Sequence, residues 1–238
     1  MIGLLMLALL ALLFAESLPS LVDMLWGAAA GLSGLLGIVA FYRALAIGQM
    51  GIISPVTAVI GSTVPVAVGI VTQGFPTSLQ AVGFVLGIAG VALVSGPRGN
   101  NDRPRGLGLA LAAGVGFAGF FILISRVETN STLWPLVIAR IASIAAMLTT
   151  ASVTRREWKP TGSYPLIALA GCADAGGNAF FLLAAQTGRL DVAVVLSSLY
   201  PAITTLLAGI ILHEKLTPTQ KLGVALALTA VPIIGTGG

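Results

Sequence analysis

The sequence predicts an all-α integral membrane protein of about nine transmembrane helices in two inverted-topology repeats. Three observations lead there. Hydrophobic residues make up 57% of the 238-residue chain, charged residues only 8%, and the mean hydropathy is +1.03. A soluble domain carries roughly a quarter charged residues, so lipid must be the solvent for most of this surface. The apolar residues fall in runs of spanning length. The chain also aligns with itself under a shift of about 140 residues.

The runs cover 1–15, 25–47, 51–73, 79–96, 106–125, 132–153, 164–187, 191–212 and 219–236. Helix is the assignment for each, because a span needs roughly 20 apolar residues and must satisfy its own backbone groups. Strand alternation is absent. Turn-forming residues mark the breaks: Pro19, Gly48, Pro76, Pro97 with Gly99, Pro160 with Gly162, Gly188 and Pro218. The first run is short. It lacks a preceding basic residue and a small-residue cleavage site, so it reads as the inner part of a helix rather than a signal peptide. The abundant Gly (30 residues) suits helices that pack closely in lipid.

The single cysteine, Cys172, excludes an intrachain disulfide and a multi-cysteine metal site, and its apolar setting reads as a small buried hydrophobe. The net charge of +4 and pI near 9.7 fit positive cytoplasmic loops. No basic cluster with interleaved aromatics points to nucleic acid.

Under the shift, Gly31 falls on Gly171, Gly37 on Gly177, Phe41 on Phe181, Ala44 on Ala184 and Gly48 on Gly188. Thr77-x-x-Gln80-x-x-Gly83 falls on Thr217-x-x-Gln220-x-x-Gly223, which is harder to reach by chance than matched glycines. A unit with an odd number of spans places its second copy upside down, the arrangement of secondary transporters with a site near the midplane. The first repeat is expected over 1–96, a basic linker over 97–105 and the second repeat over 106–238. On this register Met1 falls on Ile141, so the counterpart of 106–140 is not represented in the first copy.

Arg98, Arg103, Arg105, Arg155, Arg156, Lys159 and Lys215 all fall on one side of a nine-span chain, with Lys221 just beyond. The opposite breaks hold Arg126 and Arg189 beside Glu16, Asp23, Glu128 and Asp191. The positive-inside rule therefore places the first group in the cytoplasm and the C-terminus outside.

Several segments resemble the drug/metabolite transporter superfamily, in particular its ten-helix EamA-type branch. They are Phe41-Tyr42-Arg43-Ala44-Leu45-Ala46-Ile47-Gly48 and its partner Phe181 to Gly188, the helix with Ser197-Ser198-Leu199-Tyr200-Pro201, and Leu212-His213-Glu214-Lys215-Leu216-Thr217-Pro218 followed by Gln220 and Gly223. Arg140, after Trp134-Pro135, resembles the family's second-helix arginine. The chain departs from the pattern where Gln73-Gly74-Phe75-Pro76 stands opposite His213 to Leu216, and in lacking the opening helix of the first repeat. The family usually keeps both termini in the cytoplasm, unlike the charge count here.

Ionisable groups inside membrane helices are functional candidates by default. Asp174 lies near the centre of the seventh run, with Asn178 one turn on and facing the same way. It is a carboxylate that handles a proton or substrate, the partner of an ion pair with Arg140 that pins two helices together, or a side chain that faces bulk water. Arg140 could equally bind an anionic substrate through its planar fork. Arg43 reads as a snorkelling side chain and Gln186 as a helix-packing amide. Proline and hydroxyl residues recur at similar depth in the two copies, at Ser54-Pro55 and Ser62-Thr63-Val64-Pro65, and at Ser197 to Pro201. Such positions are either midplane breaks beside a cavity or static kinks.

The expected function is a secondary transporter of a small polar metabolite, an amino acid or related compound. It would work by alternating access about a cavity lined by Tyr42, Ser54, Thr57, Asp174, Asn178, Ser197 and Tyr200. Proton coupling is expected because no ATP-binding motif occurs, and export is implied by the resemblance alone. No phosphate loop, HExxH or nucleophile elbow appears, so neither an enzyme, a metal nor a cofactor is expected. The expected setting is multi-pass in the inner (plasma) membrane. The expected partners are a small-molecule substrate, the lipid bilayer and a second copy in a homodimer, with no nucleic acid. The competing reading is a shortened, non-transporting paralogue acting as a membrane subunit or sensor.

Overall fold

The computed structural model describes residues 2–48, 50–94, 105–128, 131–154, 163–199, 202–203, 206, 210 and 217–236. Tyr200, the His213-Glu214-Lys215 cluster, Arg98, Arg103, Arg155, Arg156 and Lys159 lie outside the described residues.

The described helices are α1 (Ile2–Leu13), α2 (Leu21–Ile47), α3 (Met50–Gln73), α4 (Ser78–Val94), α5 (Leu107–Ile124), α6 (Leu133–Thr154), α7 (Tyr164–Thr187), α8 (Leu190–Ser198, the start of the run expected over 191–212) and α9 (Pro218–Thr236). The described residues contain no strand. Among the described residues, five segments are long and apolar enough to cross a membrane: Leu21–Ile47, Val56–Gln73, Leu107–Ile124, Leu133–Val153 and Tyr164–Thr187. Shorter apolar helices cover Ile2–Leu13, Ser78–Leu93 and Pro218–Ile234. α2 starts at Leu21, earlier than the apolar run, because Ser20 and Asp23 form an N-terminal cap. The Ser20 hydroxyl accepts the Asp23 N–H at 3.1 Å and donates to Asp23 Oδ2 at 2.7 Å. α3 continues unbroken through Pro55 and Pro65.

Helix bounds recur with the sequence repeat. α2, α3 and α4 in the first copy match α7, the start of α8, and α9 in the second. The shared Thr-x-x-Gln motif is a capping box in both copies. The Thr77 N–H donates to Gln80 Oε1 at 3.1 Å and the Gln80 N–H to Thr77 Oγ1 at 3.2 Å. The Thr217 N–H donates to Gln220 Oε1 at 3.0 Å and the Gln220 N–H to Thr217 Oγ1 at 3.3 Å. Each box satisfies first-turn donors that a membrane helix cannot leave bare.

The chain divides into two compact units that do not follow the sequence repeats. One comprises Met1–Leu35 and Gly119–Thr187, the other Leu36–Ala118 and Gly188–Gly238. Each unit draws helices from both copies, and α2 and α5 contribute to both.

In the first unit, Gly3, Leu7 and Ala11 form the buried face of α1, while Leu5, Leu9 and Leu12 are exposed on its other side. Gly3 packs against Gly171 and Ala175 of α7. The repeat-related contact joins α2 to α6, where a Cβ on Gly31 would collide with the Ala139 carbonyl and the Ser143 hydroxyl donates to the Gly31 carbonyl at 2.8 Å. In the second unit, α4 and α9 run antiparallel. Gly83 meets Ile234, Gly87 meets Ala230, and a Cβ on Gly90 would lie 2.8 Å from the Ala227 nitrogen. Exchanging the two copies turns the Gly87–Ala230 contact into the Gly90–Ala227 contact. This helix pair therefore has a local two-fold axis, and its two repeat-related helices point in opposite directions.

Candidate functional site

Arg140 on α6 and Asp174 on α7 form an ion pair inside the first unit, from Nη2 to Oδ2. Both stand well inside helices that qualify as spans. The side chains are 30% and 56% exposed, so the pair is open on one side rather than sealed in the core. Asn178 lies one turn beyond Asp174 and is partly exposed.

The two copies supply an internal comparison for this face. On α2, Gly37 and Ala44 are buried, and a Cβ on Gly37 would strike Phe117 of α5. On α7 their counterparts Gly177 and Ala184 are exposed, and a Cβ on Gly177 would meet nothing within 4 Å. Asp174 borders this open face.

The remaining predicted residues lie in the second unit, apart from Tyr200, which is outside the described residues. Tyr42 is exposed near the end of α2, its ring tilted against Phe41 with centroids 6.0 Å apart. Thr57 is buried and its hydroxyl donates to the Ala110 carbonyl at 3.2 Å, tying α3 to α5. Ser197 is partly exposed near the end of α8. Ser54 Oγ is buried and has no hydrogen-bond partner among the described residues.

Two polar clusters escaped the sequence reading as sites. In the first unit, α1 ends in a left-handed turn at Ala15 (φ 47) that turns Glu16 toward the start of α6. The Glu16 carboxylate accepts the N–H groups of Thr132 (2.6 Å), Leu133 (2.9 and 3.1 Å) and Trp134 (3.0 Å). An anion there satisfies orphan donors and complements the helix dipole. Asp23 Oδ1 accepts the Glu128 N–H at 3.0 Å. Gln186 joins the same end, donating to the carbonyls of Glu128 and Ser131 at 3.0 Å each and accepting the Thr132 hydroxyl at 2.7 Å. It is the helix-packing amide that the sequence suggested. The breaks after α1, α5 and α7 therefore meet at one end of this unit, in the parity used for the charge count.

In the second unit, Arg189 and the buried Asp191 form a bidentate pair next to the end of α3. Hydrogen bonding to Asp191 raises the Arg189 pKa above its ordinary value. The sequence signal for both clusters was only an acidic or basic residue at a break; which helix end each would reach depended on folding.

Residues 104–236 match the EamA-like transporter family. No curated protein matches the chain. Among 25 matching chains of solved structures, one crystal structure of a protein superposes with a TM-score of 0.74 at 19% sequence identity, covering 98% of this chain and 85% of that one. At that identity the likeness speaks for the fold alone. The family match covers more than half of the sequence on a multi-span helical fold, and the chain belongs to the EamA-like transporter family.

Proposed function

We propose that this chain is a secondary transporter of a small polar metabolite, an amino acid or related compound, working by alternating access in the inner membrane and coupled to protons. The observation that carries the reading is the open Arg140–Asp174 pair within two spanning helices. A half-exposed carboxylate at that depth cannot face hydrocarbon and needs water or protein beside it, the setting of an ion or substrate pathway. Protonation of Asp174 would remove the charge that holds Arg140. The freed guanidinium could then take an anionic group of the solute through its planar fork. Proton and solute binding are thereby linked through one pair of side chains. Asn178 beside the pair is the neutral group best suited to hold a polar solute. Export is the direction that the resemblance implies.

Asp174→Asn in proteoliposomes should abolish uptake driven by a pH gradient and leave solute exchange intact, because the amide cannot carry the proton. Unchanged pH-driven transport would remove Asp174 from the mechanism. The open α7 face at Gly177 and Ala184 favours a second reading, a membrane subunit within a larger assembly. Under that reading the purified chain shows no flux of any solute on its own.

A further inference from the structure

Arg140 and Asp174 hold each other at one point. Arg140 gives Nη2 to Asp174 Oδ2, and among the described residues neither its remaining donors nor Asp174 Oδ1 has another protein partner. The Arg189–Asp191 pair differs. There Nε and Nη2 take both carboxylate oxygens, at 3.0 and 2.7 Å, and Nη1 donates to the Gln73 carbonyl at 3.3 Å. The Arg140 guanidinium therefore keeps a free edge of N–H donors, the fork that matches a planar carboxylate. Among the described residues of the first unit, the other charged side chains, Glu16, Asp23, Arg126 and Glu128, all stand at or beside helix ends. α1, α6 and α7 carry no charge besides this pair.

Charge balance limits what such a pair can load. Empty, the two side chains sum to zero. A solute carboxylate on the free edge of Arg140 adds one negative charge, and a proton on Asp174 restores zero. A proton alone leaves Arg140 unpaired, and a carboxylate alone leaves an anion in excess. Either state is disfavoured once the site closes to water inside the membrane. A zwitterion behaves differently. Its ammonium pairs with Asp174 while its carboxylate takes Arg140, so the sum stays at zero with no proton. Asn178, one turn beyond Asp174, offers neutral donors and an acceptor to the rest of the solute and leaves this balance unchanged.

We propose that the solute carried with the proton is a monocarboxylate whose amino group is absent or acylated, moved with one proton and no net charge. The proposal rests on the proton-coupled reading above and narrows its solute class. A free amino acid, as a zwitterion, satisfies both side chains by itself and leaves the proton no place. An acid made inside the cell leaves with its proton down its own gradient, so its export moves no charge across the membrane.

The test uses the unaltered full chain in proteoliposomes, measured against protein-free vesicles. The probes are radiolabelled amino acids with small, branched and aromatic side chains, each beside its N-acetyl acid and its neutral N-acetyl amide. The N-acetyl acids should accumulate about tenfold for each pH unit of an acid-outside gradient, because one proton moves with each molecule. A potassium diffusion potential of about 60 mV, negative inside, should leave that accumulation unchanged, whereas a load with one net positive charge would respond about tenfold. The free amino acids should gain nothing from the pH gradient, and the amides should not compete. Accumulation of free amino acids by the pH gradient, or a tenfold response of the N-acetyl acids to the potential, would overturn the proposal and leave proton-coupled transport standing. Flux that ignores the pH gradient for every probe, or no flux at all, would reject the proton-coupled reading and the proposal with it.

Discussion

Replacing Glu16 tests whether the breaks after α1 and α5 share one end of the first unit, on which the span count depends. The carboxylate is half-buried and accepts the first-turn N–H groups of Thr132, Leu133 and Trp134 at 2.6 to 3.1 Å. Loss of a helix N-cap costs roughly 0.5–2 kcal/mol, and a hydrogen bond to a charged group is worth roughly 1.5–3 kcal/mol. Water at the membrane surface recovers part of this, so Glu16→Ala should cost about 2 kcal/mol. Glu16→Gln keeps a neutral acceptor and should cost about 1 kcal/mol. For a chain of this size, 2 kcal/mol corresponds to a Tm drop of about 4–8 °C. The measurement is helical circular dichroism against temperature in detergent. Trp134 gives an internal control, because its indole donates to the Glu16 backbone carbonyl at 3.1 Å and keeps that bond in both variants. Melting within 1 °C of the parent, roughly 0.5 kcal/mol at most, for both variants would refute the capping argument. The pairing of these two breaks would fall with it.

Ala15 holds a left-handed backbone that L-residues adopt at a cost, so Ala15→Gly should stabilise the chain by about 0.5–1 kcal/mol in the same melt. Gln80→Ala and Gln220→Ala should each cost about 1 kcal/mol, and the double variant their sum within about 0.5 kcal/mol. The antiparallel α4–α9 pair places the two capping boxes at opposite ends, and a clearly non-additive double variant would contradict that geometry. Gly90→Val puts a Cβ 2.8 Å from both the Ala227 nitrogen and the Gly223 carbonyl oxygen, and should destabilise the chain by about 1–3 kcal/mol. The same substitution at Gly108, where a Cβ would meet nothing within 4 Å, should be nearly neutral, and equal losses at both sites would reject close packing as the cause.

Most helix bounds among the described residues were legible because they depend on local chemistry. Runs of apolar residues must become helices in lipid, and Pro, Gly and capping residues mark their ends wherever they sit. The duplicated Thr-x-x-Gln-x-x-Gly motif is such a signal: its first four residues build a cap, and its glycine lies on the α4–α9 pair. α2 starts early for the same local reason, since the polar cap of Ser20 and Asp23 precedes the apolar stretch. Site chemistry was less legible. Asp174 and Arg140 were singled out as two ionisable residues inside spans, with their pairing left as one alternative.

The sequence by itself determined the solvent, the class and most of the helices, because each follows from composition or from period along the chain. Tertiary structure alone decided which groups meet across large separations. It joined Arg140 to Asp174, brought Glu16 to the start of α6 and set Arg189 against the end of α3. It also showed that compact units and sequence copies are different divisions of this chain. The physical reason is that backbone demands inside lipid are met within each helix, whereas a buried charge or an orphan helix end is satisfied by whichever partner the packing delivers.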